Sequence, residues 1–236
     1  MRTLLTADWT NLLVATFETD KKLLADYLPY KTELNDWNGN YYLSLLGFMF
    51  SKPVIAGIPS PFYRCFEEVN LRFYIRYKST TGWKKGVVFI KEIAPSPVIG
   101  WAARLLYREH FVSLPMKHHF AADATQRQTE YYWKIDQEWD HLKLTTDPLP
   151  AEPDPSSLEA FTRDHYWACT SNSPRKTKEF QIEHAPWRIY PGRSFDMKLQ
   201  TAKIYGKEFS ACFAQRPAAC FLMDGSGTDI SYPTLI

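Results

Sequence analysis

The chain has few cysteines, no long apolar run and no surplus of charge of either sign, and each shortage removes a class of protein. Cys65, Cys169, Cys212 and Cys220 are scattered, without the close pair that a zinc knuckle or a dithiol motif requires, so they read as reduced, buried thiols. No stretch approaches the roughly 18 consecutive apolar residues of a membrane span, and Met1 to Trp9 lacks the apolar centre of a signal peptide. The expectation is a cytoplasmic protein without a membrane partner. Lys and Arg number 28 against 26 Asp and Glu, a formal net charge of +2, too balanced for nucleic acid to be the main partner. A glycine-rich phosphate loop, a Gly-x-Ser-x-Gly elbow and a Cys/His dyad are also missing, which sets aside nucleotide-dependent and serine-hydrolase chemistry. No cofactor is implied.

Aromatic residues, in contrast, are plentiful: 8 Trp, 14 Tyr and 15 Phe among 236 residues supply ample material for one large core. A single mainly β or α+β domain over residues 1–236 is expected, since such units commonly reach roughly 200–250 residues. Thr19 or Asp20 caps a short helix through Tyr27, stopped by Pro29. Asp36 to Gly39 signals a turn into an apolar strand over Tyr41 to Phe50. Residues 52–61, with three prolines, read as an ordered loop, and Val98 to Tyr107 as a crossing helix. Phe111 to Phe120, Gln126 to Ile135 and Glu138 to Thr145 form a meander, its last hairpin turning at Asp136-Gln137. The proline-rich stretch 147–155 reads as a loop within the domain. Apolar residues between Val54 and Ile58 are compatible with a homo-oligomer.

The most informative segment pairs Phe66 to Tyr77 with Gly86 to Ile93. Val69, Leu71, Phe73, Ile75 and Tyr77 point one way, Glu68, Asn70, Arg72, Tyr74 and Arg76 the other. The second face is either wet or a polar pocket. Lys91 and Glu92 adjoin on the following strand and cannot both line one pocket unless a bulge intervenes. Glu92 alternates with Val88 and Ile90, and Lys91 with Val87 and Phe89, so a charge is buried on either choice. Arg72 or Arg104 offers a partner for Glu92. His118 and His119 face oppositely on a strand, so no metal site follows. Lys117 and His118, with Arg104 and Arg108, instead suggest a cationic rim suited to a small carboxylate.

Several runs resemble a known family: Thr6-Ala-Asp-Trp-Thr-Asn-Leu12, Tyr42-Leu-Ser-Leu-Leu-Gly-Phe48, Phe66-Glu-Glu-Val-Asn-Leu-Arg72, Gly86-Val-Val-Phe-Ile-Lys-Glu92, Phe161-Thr-Arg-Asp-His-Tyr-Trp167 and His184-Ala-Pro-Trp187. Together they resemble the uncharacterised YqjF-like domain family, which groups by fold with acetoacetate decarboxylase. The resemblance implies a cone-shaped, largely antiparallel β-barrel with a central cavity and a few flanking helices. It also implies a comparison with Schiff-base chemistry, in which a lysine beside a second lysine attacks a keto acid. Lys91-Glu92 is similar to a charged pair that precedes that lysine motif, but no lysine pair follows here. The resulting expectation is a barrel that binds a small organic carboxylate through Glu68, Arg72, Arg104 and His118, with Glu92 orienting the arginine or acting as acid/base. The alternatives are a decarboxylase working through Lys91 or Lys117, and an interaction module with a filled barrel.

Overall fold

The computed structural model describes residues 2–60, 64–96 and 111–236. The helix expected over Val98 to Tyr107 lies outside these residues. The rest is mainly β, and its strands are long because β-branched and aromatic residues alternate over unusual distances. β1 (Thr3–Thr19), β3 (Tyr41–Ile55), β5 (Cys65–Ser79), β6 (Gly82–Ala94) and β14 (Ala219–Ser231) carry the molecule. The shorter strands are β2 (Glu33–Leu34), β4 (Ile58–Pro59), β7 (Phe111–Ser113), β8 (Met116–Ala122), β9 (Arg127–Ile135), β10 (Glu138–Thr146), β11 (Trp167–Ser173), β12 (Lys176–His184), β13 (Ile189–Lys198) and β15 (Thr234–Leu235).

The strand order is β15-β12-β11-β6-β5-β3-β1-β14-β13-β10-β9-β8, and β12 also pairs with β14. The succession β14-β1-β3-β5-β6-β11-β12 therefore returns to its starting strand. All of these pairings are antiparallel except β6 with β11. From this ring β13, β10, β9 and β8 continue as an antiparallel arm.

Two cores follow from the period of two. One takes Leu12, Val14, Leu46, Tyr74, Val87, Ala168, Phe180 and Met223, and so draws on all seven ring strands; it is termed the inner face below. The other takes Leu13, Phe17, Leu45, Leu71 and Phe73 from the opposite face, together with Tyr131, Trp133 and Leu142 of the arm. Trp9 joins the inner core with Leu12, which strict alternation forbids. The register shift between Thr10 and Leu13, at Asn11 with φ 51, accounts for the change of phase. Tyr131 ties this bulge to the arm by donating to the Asn11 carbonyl at 2.8 Å. Its ring fits only because position 47 is glycine: a Cβ there would stand 2.7 Å from Tyr131 Cδ2.

The helices are short. α1 (Lys21–Ala25) starts at Asp20, whose carboxylate accepts the Lys22 amide, as the sequence suggests. α2 (Leu158–Arg163) is capped by Ser157, and α3 (Thr201–Ile204) and α4 (Ser210–Phe213) flank a 3₁₀ turn at Lys207–Phe209.

Several expectations need correction. Residues 52–55 are not loop: β3 continues to Ile55 and turns through Ala56-Gly57 into β4. Lys52 and Pro53 fall at a register shift between the paired residues Ser51 and Val54, where a residue without an N–H interrupts no ladder bond. The strand expected over 111–120 breaks at Pro115 into β7 and β8. Cys65 is exposed, whereas Cys169 and Cys212 are buried.

Candidate functional site on the inner face

β5 places Glu68, Asn70, Arg72 and Tyr74 successively on the inner face, all of them buried. Beside them β6 contributes Glu92, 5% exposed, which pairs directly with Asn70. The sequence alternation assigned Glu92 to the side of Val88 and Ile90. A register shift opposite Leu71 and Arg72 inserts Ile90 as an extra residue, so Glu92 falls on the side of Val87 and Phe89 instead. Lys91 pairs with Leu71 and so lies on the outer side. The adjacent acid and amine remain on opposite faces, with the acid inside.

α2 lies against this polar strip. The Thr162 carbonyl accepts a long 3.4 Å contact from Arg72 Nη2, and Arg72 Nε has no hydrogen-bond partner among the described residues. Asn70 Nδ2 lies 3.5 Å from Glu68 Oε1, while Asn70 Oδ1 and Thr162 Oγ1 are buried without a partner among the described residues. A guanidinium buried with one long hydrogen bond among the described residues, and its centre 6.0 Å from the Tyr74 ring, is a poor arrangement for stability alone, because desolvation costs more than these contacts return.

The neighbours of Arg72 are held neutral. His165 is pushed down to about 3, first by burial and then by the charges of Arg72 and Lys85. Asn35 Nδ2 faces His165 Nε2 at 3.0 Å, which makes Nε2 the acceptor and leaves the proton on Nδ1. That nitrogen lies near the Phe161 carbonyl but forms no well-shaped hydrogen bond to it. His184 is lowered to about 4, again chiefly by burial, with Arg72 acting in the same direction and the Ala185 carbonyl against it. Its ring stacks on Trp187 at 3.5 Å between centroids. Tyr74 heads a chain of hydroxyls, 2.5 Å from Ser44, which is 2.8 Å from Thr16.

The other residues suggested by sequence are dispersed. Lys117 sits on β8 with its ammonium 4.4 Å from the Trp139 ring centre and 5.0 Å from that of Tyr132. His118 Nδ1 meets Glu67 Oε1 at 2.6 Å, on the arm side of β5. Arg104 and Arg108 lie outside the described residues. Thr162, His165 and Asn35 were not read as site residues. The Phe161 to Trp167 run carries a signal, a histidine and a threonine among aromatics, but not its place beside Arg72.

A second buried charge cluster lies on the outer face of the same strands. Tyr77 donates to Glu179 Oε2, and Lys84 Nζ reaches both Glu179 oxygens at 3.0 Å while standing 3.3 Å from the Trp167 ring centre. Burial, reinforced by Glu179, pushes the Cys169 thiol up to about 12 and raises Tyr77 well above the usual phenol range. Every member has a strong partner. The cluster floors a cleft of about 560 Å³ that Lys31, Lys78 and Ile236 help to line.

Comparison with known proteins agrees with this architecture. The model of the DUF2071 family of uncharacterised conserved proteins matches residues 6–226. The chain belongs to this family. It is similar to the uncharacterised protein YqjF of Bacillus subtilis (strain 168), with 27% identity over 188 residues that cover 77% of this chain and 73% of that one. Among solved structures it is similar to an acetoacetate decarboxylase-like enzyme from Sphingomonas wittichii RW1, at 12% identity and a TM-score of 0.67, covering 100% of this chain and 94% of that one. Acetoacetate decarboxylase from Legionella pneumophila gives the same TM-score at 10% identity, over 100% of this chain and 88% of that one. The enduracididine biosynthesis enzyme MppR, solved with pyruvate, gives 0.65 at 10% identity, over 100% and 91%. At these identities the likeness is one of fold.

Proposed function

We propose that the chain binds a small organic carboxylate inside the strand ring, read as a cone-shaped barrel, with Arg72 as the anchor of the anion. One observation carries this reading: Arg72 is buried, keeps an N–H without a partner among the described residues, and has no carboxylate in ion-pair contact among them. A planar guanidinium in that state suits a carboxylate, which accepts two parallel hydrogen bonds and replaces the lost hydration. Asn70 Oδ1 and Thr162 Oγ1 would receive donors on the same ligand, such as a hydroxyl. Glu92, across from Asn70, would serve as the acid/base or orient the head group, with Glu68 beside it. The MppR complex supports the idea that this fold can admit a small keto acid.

The test is a thermal-shift titration with acetate, pyruvate and matched amides, on the native chain and on Arg72→Gln. Acids should raise Tm and amides should not, and R72Q should remove the shift. A shift that survives in R72Q would sink this reading. The rival reading, an imine-forming decarboxylase, is separated by borohydride reduction in the presence of pyruvate, because a trapped imine adds a fixed mass to one lysine. With Lys91 on the outer side of β6 and Lys117 on the arm, the expected result is no adduct.

A further inference from the structure

The inner face has two poles. At one end stand Arg72, Asn70 and Glu92. At the other, Trp9, Phe48, Phe50, Phe66 and Trp187 form a contiguous aromatic wall, with Trp9 4.8 Å from Phe48, 6.1 Å from Phe50 and 6.4 Å from Trp187, and Phe50 stacked on Phe66 at 4.9 Å. The two poles adjoin, because Phe48 pairs across the ladder with Glu68. Arg72 pairs with Ser44, four residues from Phe48, so the two levels are roughly 13 Å apart at about 3.3 Å per residue.

One polar atom stands in the aromatic wall. The indole N–H of Trp9 is buried and has no acceptor among the described residues, whereas that of Trp187 is donated to Ser226 at 2.8 Å. Phenylalanine would fill an apolar wall without leaving a donor unmet. Trp133, in the outer core, has an unmet N–H as well, so the donor alone says little. What sets Trp9 apart is that its wall shares the inner face with a second buried donor unmet among the described residues, Arg72 Nε.

From this pairing we infer that the ligand is an aryl carboxylate: a carboxylate held by Arg72, joined through a short linker to an aromatic ring lying against the Trp9 and Phe48 wall, with a ring oxygen accepting the Trp9 N–H. This inference rests on the carboxylate reading above and narrows its ligand class. The ring satisfies the apolar wall, and its oxygen pairs a donor that an aliphatic acid leaves unmet.

Calorimetric titration with acetate, pyruvate, phenylacetate and 4-hydroxyphenylacetate tests it. Phenylacetate should bind at least about tenfold more tightly than acetate or pyruvate. 4-Hydroxyphenylacetate should gain a further factor that Trp9→Phe removes while sparing phenylacetate, and R72Q should weaken all four. If W9F does not fold, Phe48→Leu should weaken the two aryl acids selectively. Acetate and pyruvate binding as tightly as the aryl acids, with all lost in R72Q, would overturn the aryl inference and leave the carboxylate reading standing. Failure of every acid to bind the native chain would overturn both.

Discussion

The two faces of β5 bury charge in opposite ways. On the outer face Tyr77, Lys84 and Glu179 complete one another: the carboxylate accepts from a phenol and an ammonium, and the ammonium also lies against the Trp167 ring. On the inner face, five residues back along the strand, Arg72 makes one long hydrogen bond among the described residues, at 3.4 Å, with its guanidinium 6.0 Å from the Tyr74 ring centre, and His165 is kept uncharged beside it. The first arrangement is what a buried ion pair needs to support a fold. The second supports the fold poorly, and its open valences make sense as places for something not made by the chain. Burial of charge alone therefore does not mark a site; the marker is burial without completion.

Breaking the outer cluster should give the largest effect. Lys84→Met leaves Glu179 buried with only Tyr77 and should lower the unfolding free energy by about 3 kcal/mol, read by urea denaturation. Tyr77→Phe removes one charge-assisted hydrogen bond and should cost about 2 kcal/mol in the same assay. On the inner side, acidification probes His165. Its folded pKa lies below the unfolded value, so the unfolded chain takes up the proton first. The stability present above pH 6.5 is therefore lost progressively as pH falls from about 6.5 towards 3. At pH 5 this amounts to about 2 kcal/mol for His165, with a smaller share from the part-exposed His184, and His165→Gln should flatten the dependence between pH 7 and 5. The smallest effect on stability belongs to Arg72→Gln, which should change it by less than about 1 kcal/mol in ligand-free protein. A loss as large as that of K84M would mean that Arg72 supports the fold as Lys84 does, and the contrast between the faces would collapse.

Much of this was legible in sequence, for identifiable reasons. The alternation of β5 is regular enough to place Glu68, Arg72 and Tyr74 on one face and Leu71, Phe73 and Tyr77 on the other, and the structure bears this out. Asp20 and Asp136-Gln137 carry local chemistry that fixes a helix start and a hairpin turn. Three things were not legible. The N-terminal strand hides its pattern behind the Asn11 bulge, so Thr3–Thr19 does not alternate as a whole. α2 and the residues just after it supply Thr162 and His165 to the inner face from some 90 residues downstream of Arg72, a proximity set by the tertiary fold and not by local sequence. The side of Glu92 depends on the extra residue at Ile90, and a bulge is a matter of pairing partners rather than of local composition.

That extra residue bears on how such interiors diversify. Pairing β6 with β5 without it would bring Lys91 opposite Asn70 and turn Glu92 outward. An amine would then replace an acid at the same depth, with every side chain in the strand unchanged. In this architecture the chemistry presented inside can be rewritten by the length of a strand, so insertions and deletions near a bulge are as consequential for function as substitutions within the site itself.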